Sequence, residues 1–406
     1  MPIKRPQLSE KALLILLASV QFTHIMDFMV MMPLGPQLMR ELNIGPDRFS
    51  ALVAAYTFSA GLVGLLASPF MDRFDRRKLL LFSYIGFIIG TIACGLSHTA
   101  EALSQARILC GAFGGVSGAL ILAIVSDLVP PERRAAGMGI IMTAFSAAAA
   151  LGVPLGLYLA QKFTWETPFF VVAGIGAIGW LLLWYYLPPV REHLKTSAAH
   201  RGAAFWALLR NVNAGWALLF IFMLVMGHMV MIPLLSPFLV HNVGFPEQHL
   251  SLVYLIGGVL SIFTGPLVGK LADRHGRIQV LGIMIIVAAG VVLAISHAPR
   301  LPMAGTLVLS GLFFIFASGR FVPAQAIGSL AVPPAQRGAF MSLNTCVRDL
   351  GAGVAASLAG VLVSTAPSGE LLHYNHVGYA AVAASFISYW LGTRVRTQDL
   401  APSPLS

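Results

Sequence analysis

A ten-residue pattern is written twice in this chain. Ser68-Pro69-Phe70-Met71-Asp72-Arg73-Phe74-Asp75-Arg76-Arg77 recurs as Gly269-Lys270-Leu271-Ala272-Asp273-Arg274-His275-Gly276-Arg277-Ile278, an offset of 201. Each copy closes one very apolar stretch and precedes another. A charged knot between two apolar spans, repeated at half the chain length, describes a duplicated membrane protein. Two further matches lie at nearly the same offset. Met29-Val30-Met31-Met32-Pro33-Leu34 returns as Met229-Val230-Met231-Ile232-Pro233-Leu234, and Val129-Pro130-Pro131-Glu132-Arg133-Arg134 as Val332-Pro333-Pro334-Ala335-Gln336-Arg337.

Twelve apolar segments are read at 12–34, 50–70, 79–97, 101–124, 136–160, 167–187, 214–238, 250–271, 278–297, 301–325, 337–364 and 377–393. They are continuously apolar, not alternating, which selects helices over a barrel. The expected fold is an all-α membrane protein of two pseudo-symmetric six-helix halves, 1–187 and 214–406, joined by the basic linker 188–213. A composition 57% hydrophobic and 10% charged leaves no sizeable soluble domain.

With the N-terminus inside, 20 of the 26 Lys and Arg residues fall in inner segments, Arg320 counted among them. Arg40, Arg48, Lys162 and Arg300 fall outside, and Arg107 and Arg348 within spans. This bias predicts both termini in the cytoplasm. The net charge of +10 follows from that placement and implies no nucleic-acid partner. The apolar run after Lys4, Arg5 and Lys11 reads as an uncleaved first span. Cys94, Cys110 and Cys346 lie in apolar stretches without ligand spacing, so they are read as core residues, with no metal and no cofactor expected.

The repeated loop resembles the Gly-x-x-x-Asp-Arg-x-Gly-Arg signature of the major facilitator superfamily. Gly269, Asp273, Arg274, Gly276 and Arg277 fit it well. The first copy keeps Asp72, Arg73, Arg76 and Arg77 but carries Ser68 and Asp75 where the family has glycine. Gly152, Pro154 and Gly156 in the fifth span are similar to the family's antiporter motif, and with Trp165 look like the drug and sugar efflux branch of arabinose-efflux-type permeases. Arg107 with Gly111 resembles the Arg-x-x-x-Gly motif of the fourth span, which the family links to proton transfer. The resemblance implies proton-driven export by a monomer in a bacterial inner membrane.

Charges buried in lipid-spanning helices are costly and mark function. Four lie within spans: Asp27, Arg107, Arg348 and Asp349. Asp27 can bind either a proton or part of a cargo; the competing reading is permanent structural pairing with Arg107. His24, three residues earlier, is expected to tune Asp27, to relay protons, or to be a hydrogen-bonded core histidine. Arg348 and Asp349 point about 100° apart on a helix, so each is expected to find a partner on another helix. Asp72 and Asp273 are expected to cap a helix or pair with arginines across the halves, and Gly152, Pro154 and Gly156 to pack where the halves meet. Tyr56, Phe58, Phe145, His228, Tyr254 and Asn344 are candidate cavity residues. Few polar groups and many Met and Phe favour small, partly apolar cargo exchanged for protons; sugars or other metabolites are the alternative, and a non-transporting sensor or enzyme a third reading. No phosphate loop, nucleophile elbow or metal-ligand cluster is present in the sequence.

Overall fold

In a computed structural model, residues 8–71, 73–130, 133–191, 194, 208, 210–333 and 336–397 are described. Eleven helical stretches among them are long and apolar enough to cross a membrane. Spans 1 to 6 are Glu10–Val30, Pro46–Met71, Arg76–Gly95, Ala100–Leu128, Arg134–Lys162 and Thr167–Tyr186. Spans 7 to 11 are Val212–His241, Leu250–His275, Arg277–Ser296, Met303–Leu330 and Arg337–Leu362. A twelfth helix, Tyr374–Arg394, is less apolar and packs on spans 7 and 9. Among the described residues these make twelve long helical stretches in two halves of six, consistent with the sequence reading. A short β-hairpin, Ser364–Thr365 against Leu371–Leu372, is the only strand pairing among the described residues.

The repeated Met-Val-Met-x-Pro-Leu segment breaks a helix in each half. Span 1 stops at Val30, turns, and resumes as the short helix Gly35–Glu41. Span 7 stops at Met229 and resumes at Ile232. Pro33 and Pro233 lack the amide that a continuous helix would use, and neighbouring helices tolerate the interruption. Just before Pro233, the Met231 carbonyl accepts from the Tyr374 hydroxyl at 3.0 Å.

Large apolar side chains such as Leu66, Phe263 and Val361 are exposed on the outside of the bundle, where lipid would cover them. Two seams join the halves: span 2 lies along span 11, and span 5 along span 8. The face that carries the repeated charged loops is here the motif face, and the opposite one the distal face. Hydrogen bonds and ion pairs between described residues of the two halves lie on the distal face.

Arg320 corrects the charge count. The sequence count sets it among the inner-loop arginines, but span 10 continues to Leu330 and Arg320 is buried within it, 1% exposed. Nineteen inner cations against four leave the bias unchanged.

Candidate functional site

Within the first half, span 4 carries Arg107 against span 1. Its Nη1 donates to Asp27 Oδ2 at 2.7 Å, and both side chains are fully buried. Span 3 adds Thr91, whose hydroxyl lies 3.3 Å from Asp27 Oδ1 and 3.0 Å from the Phe87 carbonyl; its one proton serves one acceptor at a time. Span 2 covers the guanidinium with the Tyr56 ring, 4.3 Å away, and Tyr56 stacks in turn on Phe28. Four helices therefore converge on one carboxylate and one guanidinium. Cys94 and Cys110, buried beside them, bring their sulfurs to 3.8 Å as free thiols.

The pair leaves hydrogen-bonding capacity unused. Arg107 Nε and Nη2, the Tyr56 hydroxyl, both ring nitrogens of His24 and Gln21 Oε1 are buried without protein partners. Gln21, His24 and Asp27 follow one another at three-residue steps along span 1. His24 packs between the Tyr56 and Phe87 rings instead of bonding to Asp27. Among the described residues its ring has no hydrogen-bond partner, so it is not a hydrogen-bonded core histidine.

Arg348 and Asp349 do not behave as expected. Both are half-buried on span 11, and neither forms an ion pair with the other or with another described residue. Asn344, one turn earlier, donates to Gln325 of span 10 at 3.2 Å and keeps its carbonyl oxygen unpartnered. The other candidate cavity residues scatter. Phe58 meets Gly353 across the span 2 and span 11 seam, and Tyr254 shares a hydrogen bond with Ser236 at 2.7 Å. His228 stacks on Phe313, and Phe145 lies 48% exposed.

The charged loops hold within their own half. Asp72 lies outside the described residues. Arg73 sits over the Phe70 ring, and Arg76 pairs with Asp127 at the end of span 4, 2.8 Å away. Arg77 donates to the Trp184 carbonyl of span 6. Asp273 approaches its own neighbour Arg277 at 3.8 Å, not a cation of the other half. Lys270, Arg274 and His275 are exposed or nearly so. The cap of span 3 is Asp75, whose carboxylate accepts from the Arg77 and Val190 amides and from Arg191 Nε at 2.8 Å. Its counterpart in the repeat, Gly276, has φ +92°, a conformation that favours glycine, while Asp75 has φ −59°. One sequence position thus has two backbone solutions, and the first copy can carry an acid where the second cannot.

The antiporter-like triple lies on span 5 along the seam with span 8, and its two glycines turn to span 1 of their own half. A π turn, Ala148–Gly152, precedes Pro154, and Gly152 and Gly156 admit Met26 and Val30 of span 1 in the same half. The halves meet at the π turn itself, where Gly258 of span 8 lies against the backbone of Ala149 and Ala150.

The model for the Major Facilitator Superfamily matches residues 17–356. The chain belongs to the major facilitator superfamily. It is 27% identical over 346 residues to an uncharacterized transporter of that superfamily, YceJ of Bacillus subtilis (strain 168), covering 85% of this chain and 87% of that one. It is 25% identical to multidrug resistance protein 2 of the same organism, over 87% of this chain and 89% of the other. Among solved structures it resembles a bacterial homolog of the human lysosomal transporter Spinster in an inward-facing, unoccupied conformation. That likeness has TM-score 0.74 and 16% identity over 96% of this chain and 99% of the other, and it bears on the fold alone. The facilitator is therefore an integral, multi-pass membrane transporter of small molecules.

Of the residues that complete the site and its closed seam, four escaped sequence reading. Thr91 is a lone hydroxyl within an apolar run. Arg320 lies inside an apolar segment that continues beyond it. Arg40 and Glu247, an ion pair across the halves, are far apart in sequence and have no signature.

Proposed function

We propose that this facilitator exports small, partly apolar compounds in exchange for protons, by alternating access. The observation that carries the reading is the sealed pair of Asp27 and Arg107, 2.7 Å apart and 0% exposed. A buried ion pair is seldom a source of net stability, because desolvation offsets most of the attraction. Its use lies in an asymmetry: a carboxyl can be neutralised by a proton, while a guanidinium keeps its charge. A proton on Asp27 would release Arg107, whose Nε and Nη2 already lack partners. Gln21 and His24 mark a polar path along span 1, and the open valences of Tyr56 and Arg107 would engage cargo or water. Arg348 and Asp349, on span 11 along the seam with span 2, are further candidates for coupling. Export, not uptake, is supported by the similarity to a protein named for multidrug resistance.

On this reading the motif face is cytoplasmic, the termini lie there, and residues 188–213 link the halves 1–187 and 214–406. The membrane is a bacterial inner membrane and the working unit a monomer. The closed distal seam corresponds to a carrier open toward the cytoplasm. Asp72, Arg73, Arg76, Arg77, Asp273, Arg274 and Arg277 would then form contacts between the halves in the opposite state.

The test is transport of a fluorescent apolar dye by protein reconstituted in liposomes under an imposed pH gradient. Asp27→Asn should lose uphill transport while retaining dye binding and downhill exchange. If that variant still concentrates dye against its gradient, the proton is carried elsewhere.

A further inference from the structure

Span 10 is broken at Arg320: one helix ends at Gly319 and another runs from Phe321 to Leu330 without a side-chain cap. The Arg320 side chain turns into the second half and is 1% exposed. Its Nη1 donates to Ser385 Oγ of span 12 at 2.6 Å, and Nε to the Ala317 carbonyl at 3.1 Å. Nη2 is buried without a protein partner. Among the described residues no carboxylate lies within ion-pair distance. A hydroxyl and a carbonyl orient the guanidinium but do not neutralise it, and an uncompensated charge inside a membrane bundle is expensive.

The first half shows what is missing. Arg107 has Asp27; at the repeat's offset of 200 Asp27 corresponds to Gly227 and Arg107 to Leu307, so Arg320 is a separate cation on the matching span, and it shares its neighbour Ser385 with Gly227. A Cβ at Gly227 would stand 2.7 Å from Ser385 Oγ and 2.9 Å from the Ala381 carbonyl. Span 12 fills the space that the first half gives to its acid, so span 7 cannot supply a carboxylate there. The next residue, His228, stacks on Phe313 and meets Phe321 edge-on, with Nδ1 buried and unpartnered. An unpaired guanidinium, an imidazole with an open valence and the start of a half-helix converge at the breaks of spans 7 and 10. The guanidinium and the helix start favour negative charge, and the imidazole can donate to it in the tautomer that carries its proton on Nδ1.

We propose that Arg320 binds a monoanion, with the counter-charge supplied from outside the chain: either a resident halide or the carboxylate of an anionic cargo. The site does not depend on the export reading, because it is measured by binding and not by transport.

The test uses purified full-length protein in detergent, in a buffer whose only anion is the bulky HEPES sulfonate, with Tris as cation. Chloride, formate or benzoate is added, with Tris–HEPES as the control for ionic strength, and thermal unfolding is followed. Wild type should show a saturable rise in midpoint beyond the control, as for any ligand that binds the folded state alone. Saturation by chloride at the lower concentration assigns a resident ion; saturation by benzoate or formate at the lower concentration assigns a cargo carboxylate. Ser385→Asp places a carboxylate on the guanidinium, and should fold without added anion and lose the response. Arg320→Gln needs no counter-ion and should lose it too. The proposal is overturned if wild type responds no more than to Tris–HEPES, or if Ser385→Asp responds as wild type does.

Discussion

Glu247, between spans 7 and 8, reaches across the distal face to Arg40, just beyond span 1. Nη1 and Nη2 of the arginine lie 3.0 and 3.4 Å from its two carboxylate oxygens. Gln161, at the end of span 5, donates to the Glu247 carbonyl at 2.8 Å. One residue of the second half thus holds two elements of the first, at the rim of the seam that closes this face.

Neutralising the latch should favour the state with the distal face open. Arg40 and Glu247 are 57% and 31% exposed, so the pair is worth at most about 1 kcal/mol. That corresponds to a shift of about fivefold in the ratio of states. Distances between spin labels at Glu41 and Gln248 should lengthen in Glu247→Gln. The charge-reversed double variant, Arg40→Glu with Glu247→Arg, should return them. Unchanged distances in the single variant would make the pair a surface contact.

Gly258 should control closure more strongly. A Cβ there would stand 2.5 Å from Ala150 Cα and 2.7 Å from the Ala149 carbonyl carbon, both backbone atoms that cannot rotate aside. Gly258→Ala should hold the halves apart on the distal side and slow transport at least tenfold, an effect of about 1.4 kcal/mol on the barrier. Gly265→Ala, on the same helix with open space around it, should transport at the wild-type rate. Equal rates in both variants would show that the seam gives way easily.

Asp75 should matter for stability before it matters for transport. Asp75→Ala removes an N-cap, typically about 0.5–2 kcal/mol, and leaves two amides and Arg191 without their acceptor. The unfolding midpoint should fall. Asp75→Asn, which keeps an oxygen for the amides, should recover part of the loss. An unaltered midpoint in Asp75→Ala would mean that water replaces the cap at no cost.

Orientation is open to a direct check. Reporter fusions after Arg77, Arg134 and Arg277 and at the C-terminus should report the cytoplasm, and fusions at Pro46, Phe245 and Ser368 the opposite side. One fusion consistently on the wrong side would contradict the inward placement of the basic loops.

The spans and the duplication are legible in the chain because each is written in runs of neighbouring residues; Pro33 and Pro233 are visible there too, but not that both spans break at them. Hydropathy sums over about twenty neighbours, and a proline removes its own amide wherever it stands. Asp27 and Arg107 are visible for the same reason, as charges where lipid-facing residues belong. Partnership is not local. That Arg107 meets Asp27, 80 positions away, while Arg348 and Asp349 meet no described partner, depends on which helices pack and at what depth. That Asp75 caps a helix while Gly276 turns through positive φ depends on backbone geometry set by the Val190 region in one half alone. The burial of Arg320 depends on a helix continuing past it. The sequence by itself determined what must lie in the membrane. Only the packed helices decided which buried charges are answered and which are left open, because a side chain's partner is set by distance in three dimensions.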